Sequence, residues 1–140
     1  MTSAFESTQR EVTQNHFLRK PLIKRIQELR DGRLVISFFV SFQSRSPLGP
    51  EDANMIEEVL VNSDTSRGIT LLLDAPGGDG LAAERIINIC RKYSKKDFET
   101  LVPARAKSAA TMVCLGSDRI LMGATSELGP IDPQIPMEEP

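Results

Sequence analysis

The chain has 140 residues, 40% of them apolar, which is long enough to bury one globular core. A formal net charge of −2 gives no reason to expect a nucleic acid partner. Its two cysteines, Cys90 and Cys114, sit in apolar helical surroundings with no Cys/His spacing around them, against both a disulfide framework and a zinc centre.

The first ten residues, MTSAFESTQR, lack the basic and apolar regions of a secretory signal. The longest apolar stretch, LVISFFVSF, is far too short to span a bilayer, so a cytoplasmic protein is expected. From Asn15 to Arg30, Leu18, Leu22, Ile26 and Leu29 fall at helical spacing. Pro21 predicts that the firm helix starts there, with proline near its first position, and Asp31-Gly32 ends it. Its polar side is basic, with Arg19, Lys20, Lys24, Arg25 and Arg30. Such a face is most often simply solvated; weak contact with an anionic membrane surface, or docking on a neighbouring subunit, are the other readings.

Arg33 to Phe42, rich in Val, Ile and Phe, predicts a strand. After the loop QSRSPLGPED, a helix is predicted over Asn54–Asn62 with Met55, Val59 and Leu60 inward. Ile69 to Leu73 is a continuous apolar run between Gly68 and Pro76, as in a strand buried on both faces of a parallel sheet. Gly80 to Tyr93 predicts a helix capped by Asp79, with Ala82, Ile86, Ile89, Cys90 and Tyr93 on one face. Phe98–Val102 and Arg119–Met122 read as further strands. Helices alternating with strands imply repeated βαβ units and a parallel sheet, an α/β fold.

Two stretches carry chemistry. In DAPGGDG, residues 74–80, the adjacent glycines Gly77 and Gly78 lie at a strand-to-helix turn. Such a turn lets backbone amides approach an anion closely, or it is a tight turn without a ligand; neither nucleotide-binding fingerprint is present. In AKSAATMVCLG, Ser108 stands at the first turn of a short buried helix. There it is either an N-cap accepting from Ala110 or Thr111, or a nucleophile beside amides that hold an oxyanion.

Together, DAPGGDG and AKSAATMVCLGSDRILMGATSELGPIDPQ resemble the Clp/crotonase superfamily of serine proteases, and in particular the serine dehydrogenase proteinase family. SppA-type signal peptide peptidases and the Clp proteolytic subunit are more distant likenesses. The resemblance covers Arg33 to Gln134. It implies a Clp/crotonase-like fold with Ser108 as nucleophile, and an oxyanion hole from the amides of Ala109 and of Gly77 or Gly78. It further implies a peptide or protein substrate, no cofactor, and a homo-oligomer. The expected organisation is an N-terminal helical arm, residues 1–32, followed by a protease domain over 33–140 that is truncated at its C-terminal end.

The proton acceptor is what this pattern lacks. In the Clp subunit it is a His downstream of the nucleophile, and in SppA-type enzymes a Lys further on; downstream of Arg119 this chain has neither. His16 lies far upstream, and Lys107 is adjacent to Ser108, where neighbours on one turn point apart. Asp74, Asp79 and Asp118 each have a plain role as cap or surface charge. Two rivals to a serine peptidase therefore stand beside it: a crotonase-type acyl-CoA enzyme, and a catalytically degenerate assembly module of the same fold.

Overall fold

A computed structural model describes residues 16–43 and 47–132. The chain divides into two units, Met1–Gly32 and Arg33–Pro140. The first holds α1 (His16–Leu29). This helix begins earlier than the proline predicts. Pro21 stands inside it, forgoing the one backbone bond its missing N–H would have given to the Phe17 carbonyl. The helix closes where expected: Asp31 and Gly32 both have positive φ, and the Gly32 N–H reaches back to the Gln27 carbonyl at 2.8 Å.

The second unit runs β1 (Leu34–Phe39), α2 (Pro50–Val61), β2 (Ile69–Asp74), α3 (Gly80–Tyr93), β3 (Phe98–Val102), β4 (Arg105–Ala106), α4 (Ala109–Leu115), β5 (Arg119–Met122) and β6 (Glu127–Leu128). Four strands form one parallel sheet in the order β1-β2-β3-β5. Leu34 stands opposite Ile69, Ile69 opposite Phe98, and Thr100 opposite Ile120. Parallel neighbours need long crossovers, and α2, α3 and α4 supply them. The α/β fold with helix-flanked parallel strands is the one the sequence predicts. Every residue from Ile69 to Leu73 is buried, as an unbroken apolar run in an inner strand requires.

Two expectations are corrected. β1 is shorter than Arg33–Phe42, because Arg33 leaves the strand for a buried polar role and the pairing with β2 ends at Phe39. α2 starts at Pro50, whose fixed φ suits a first helical position, and the Asp52 carboxylate accepts the Gly49 N–H at 2.8 Å. Its inward face is Ala53, Ile56 and Leu60; Met55 and Val59 point outward, 64% and 45% exposed.

At the N-terminal ends of the strands lies a buried charge cluster. The Arg33 guanidinium donates to Thr70 Oγ1, to the Asp97 carboxylate and to the carbonyls of Ile69 and Asp97. Glu99, fully buried, accepts from Thr70 Oγ1 at 2.7 Å and pairs with Arg33 and Arg119, each at 3.3 Å. Arg119 also reaches Asp97 at 2.7 Å. Arg33 and Glu99, charges this deep, cost several kcal/mol each to desolvate and are tolerable only because each one is paired. The cluster joins the starts of all four strands, at the end of the sheet opposite the glycine turn.

Candidate active site

In parallel α/β sheets the loops beyond the C-terminal ends of the strands form the crevice where ligands bind. β2 ends at Asp74, and the chain turns through Ala75-Pro76-Gly77-Gly78 into α3. Asp79 caps that helix, as predicted, accepting the Leu81 N–H at 2.9 Å. Gly77 and Gly78 hold φ of 118° and 149°, where side chains are rarely accommodated. A Cβ on Gly78 would lie 2.2 Å from the Leu48 carbonyl oxygen, and one on Gly77 2.7 Å from the Ser108 Cβ. Leu48 fixes the turn from outside, donating its N–H to the Gly77 carbonyl and accepting from the Asp79 N–H, both at 2.9 Å.

A second segment arrives beside this one. After β3, residues 104–107 run between Ala75 and β6. The Ala75 N–H donates to the Arg105 carbonyl at 3.1 Å, and the Lys107 N–H to the Ala75 carbonyl at 3.0 Å. On the other edge, the Glu127 N–H reaches Ala104 at 2.8 Å and the Gly129 N–H reaches Ala106 at 2.9 Å. Held on both sides, this segment delivers Ser108 next to Gly77.

Ser108 has φ 50° and ψ −121°, outside the regions open to ordinary residues. It occupies the N-cap position of α4, yet its hydroxyl makes no capping bond. The Ala110 N–H, one of the donors an N-cap would use, goes to the Lys107 carbonyl at 3.0 Å. Among the described residues, the hydrogen bonds leave the Ser108 hydroxyl and the amides of Gly77, Gly78 and Ala109 without protein partners. The four predicted residues therefore line one cleft: a strained serine, Gly77 against it, Gly78 next in the same turn, and the first amide of α4.

The serine opens into a cleft of about 860 Å³. Phe42, Pro47, Pro76, Met112 and Ile131 give it apolar walls, and Asp132 is its one ionisable lining residue among those described. The Arg105 guanidinium lies 3.8 Å from the centroid of the Phe42 ring and holds it in place. Sequence reasoning missed these walls and Leu48. The turn residues of QSRSPLGPED were the available signal, since that loop carries both Pro47 and Leu48.

The base candidates fare differently. The Lys107 ammonium is bound by Glu127 at 2.8 Å. The Lys107 hydrogen bond and charge in turn hold the Glu127 carboxyl below the usual carboxylate range. His16 is the first residue of α1, and its side chain lies outside the described set. Asp118 has a structural role, accepting the Phe98 N–H at 2.8 Å. Both cysteines are free and buried; burial pushes the Cys90 thiol up to about 12 and the Cys114 thiol up to about 11. Among the described residues no group of three His, Cys, Asp or Glu side chains could hold a metal, and no helix is long and apolar enough to cross a membrane.

Comparison with known proteins finds two relatives and a family. Two uncharacterized proteins of Methanocaldococcus jannaschii, MJ0137 and MJ1495, are each 32% identical to the chain over 85 residues. The match covers 61% of this chain, which spans only 29% of the length of those relatives. A family described as ClpP-like SDH-type serine proteinase matches residues 8–140, from before α1 through the glycine turn, the serine and the end of the chain. A parallel α/β sheet and a match over nearly the whole sequence lead to one conclusion: the chain belongs to the ClpP-like SDH-type serine proteinases.

Proposed function

We propose that the chain carries the nucleophile and the oxyanion hole of a serine peptidase. Ser108 Oγ attacks an amide carbonyl, and the carbonyl oxygen takes up negative charge as the tetrahedral adduct forms. The N–H groups of Ala109 and of Gly77 or Gly78 receive that charge. One such donor contributes about 10²–10³ in rate, because it is already oriented when the charge develops. The observation that carries the reading is the backbone of Ser108. A serine held at φ 50° with no capping bond is strained without local compensation, and strain of this kind concentrates at functional sites. The family favours a peptide over an acyl-CoA substrate.

The hydroxyl proton must go to a base. Lys107 is engaged by Glu127, and Asp132 is the one ionisable residue among the described cleft walls. The mechanism accordingly assigns the base to none of them. That same observation supports the second reading, a catalytically silent assembly module built on this fold.

A fluorophosphonate probe separates the two. An activated Ser108 gives an adduct that maps to Ser108 and disappears in Ser108→Ala. The neighbouring Ser117 and Ser126 hydroxyls are engaged, donating to the carbonyls of Cys114 at 2.6 Å and Val102 at 2.8 Å. An adduct on either would overturn the assignment, and no adduct at all would favour the silent module.

A further inference from the structure

Two helices of this chain each carry an outward stripe for which the peptidase reading has no use. On α1 the stripe is Leu18, Leu22, Arg25 and Leu29, spaced four, three and four residues apart. That is the interval at which side chains line one side of a helix facing another. The three leucines are 57%, 60% and 65% exposed. On α2 the stripe is Glu51, Met55, Glu58 and its cap residue Asn62, with the same four, three and four spacing and with Val59 beside it.

The stripes share a spacing, and the two helices carry opposite charge. α1 carries four basic residues and one acidic one, whereas α2 carries four acidic residues and no basic one. With the helices parallel, Leu22 stands opposite Met55, Arg25 opposite Glu58, and Leu29 opposite Asn62 and the neighbouring Val59. Leu22–Met55 sets apolar against apolar and Arg25–Glu58 positive against negative, while Leu18 lies opposite Glu51 in the same register. Within its own helix Arg25 pairs with Glu28, at 3.0 Å on an exposed surface. Such a pair is worth little and exchanges readily for another acid. At about 1.5 Å per residue the helices run to roughly 21 and 18 Å, so the stripes can lie along each other for their full length.

From this complementarity of charge, spacing and length we propose that α1 of one copy docks on the outer face of α2 of a second copy. Exchanged reciprocally, the two arms make a symmetric dimer with two identical seams. A basic arm against an acidic helix also makes the association sensitive to salt.

Charge reversal on the full chain tests it. Arg25→Glu and Glu58→Arg change exposed residues outside the candidate active site, and circular dichroism confirms that each variant keeps its fold. Each alone places like charges at both seams and is expected to weaken the dimer about tenfold or more in sedimentation velocity. A one-to-one mixture of the two variants is expected to restore it. In the mixed dimer the two reversed positions face each other at one seam, acid against base, and the unchanged Arg25 meets the unchanged Glu58 at the other. Four results would overturn the proposal: a chain that is monomeric at all concentrations; a dimer indifferent to both reversals; restoration only when both changes are in one chain, which means docking within a copy; and co-sedimentation with phosphatidylserine vesicles without self-association, which means a lipid surface.

Discussion

Replacing Ser108 by glycine and by alanine should have different consequences for stability, although both remove the hydroxyl. An N-cap serine ordinarily loses about 1 kcal/mol on change to alanine, because a backbone N–H loses its acceptor. Ser108 makes no such bond, so Ser108→Ala should fall within about 0.5 kcal/mol of the parent. The glycine variant differs in the backbone. At φ 50° and ψ −121° a residue with a Cβ carries strain on the order of 1–3 kcal/mol, which glycine releases. Against this, glycine makes the unfolded chain more flexible, at a cost of roughly 0.4–1 kcal/mol. The balance is a gain of about 1 kcal/mol over Ser108→Ala, or roughly 2–4 °C in Tm for a chain of about this size. Urea unfolding followed by circular dichroism measures it, with the slope unchanged if only the native state is affected. A glycine variant less stable than the alanine variant would refute the strain, and with it the observation on which the nucleophile assignment rests.

The remaining predictions concern the turn, the buried charges and the thiols. Gly78→Ala should destabilise by about 2–4 kcal/mol, since its Cβ would meet the Leu48 backbone at 2.2 Å, where no side chain can yield; unchanged urea midpoints would contradict that packing. Burial raises the Asp97 carboxyl, but the Arg33 hydrogen bond and the charges of Arg33, Arg119 and Lys96 outweigh it and hold it below its usual value. A lowered folded value means stability that is fully present above the unfolded value, near pH 3.9, and is lost as pH falls through the folded one. Melts from pH 6 to pH 2 should show this loss below about pH 4, and Asp97→Asn should flatten it. Native protein at pH 8 should leave Cys90 and Cys114 unmodified by iodoacetamide, with both reacting in urea, because burial disfavours each thiolate.

Much of the architecture was legible because its elements announce themselves in side chains. Ile69–Leu73 is apolar without alternation, and Gly80–Tyr93 has both a cap and a clear face; both emerge where expected, as do Phe98–Val102 and Arg119–Met122. β4 and β6 were not legible. Each is two residues long and pairs through backbone alone, so no periodicity of side chains marks it. The face of α2 was misjudged for a related reason. Met55 and Val59 are as apolar as Ile56 and Leu60, and only the neighbouring α3 decides which of them turns inward. Pro21 misled because one absent hydrogen bond weighs less than a helix of 14 residues. At the site, the four residues could be named from DAPGGDG and AKSAA, but the positive φ of Ser108 could not, since serine is also a common cap.

Ser108 and Gly77 owe their juxtaposition to main-chain bonds, through Ala75, Arg105 and Lys107 on one edge and Ala104, Ala106 and Gly129 on the other. The walls around them are side chains such as Phe42, Met112 and Ile131. Under the proposed function, position and selectivity would thus reside in separate parts of the polypeptide. Substitutions that widen, narrow or recharge the cleft can accumulate without displacing the hydroxyl, so the walls are free to drift under selection while the strained turn stays fixed. A designer could recruit the same division, diversifying Phe42, Met112 and Ile131 as a library over an unaltered Ser108.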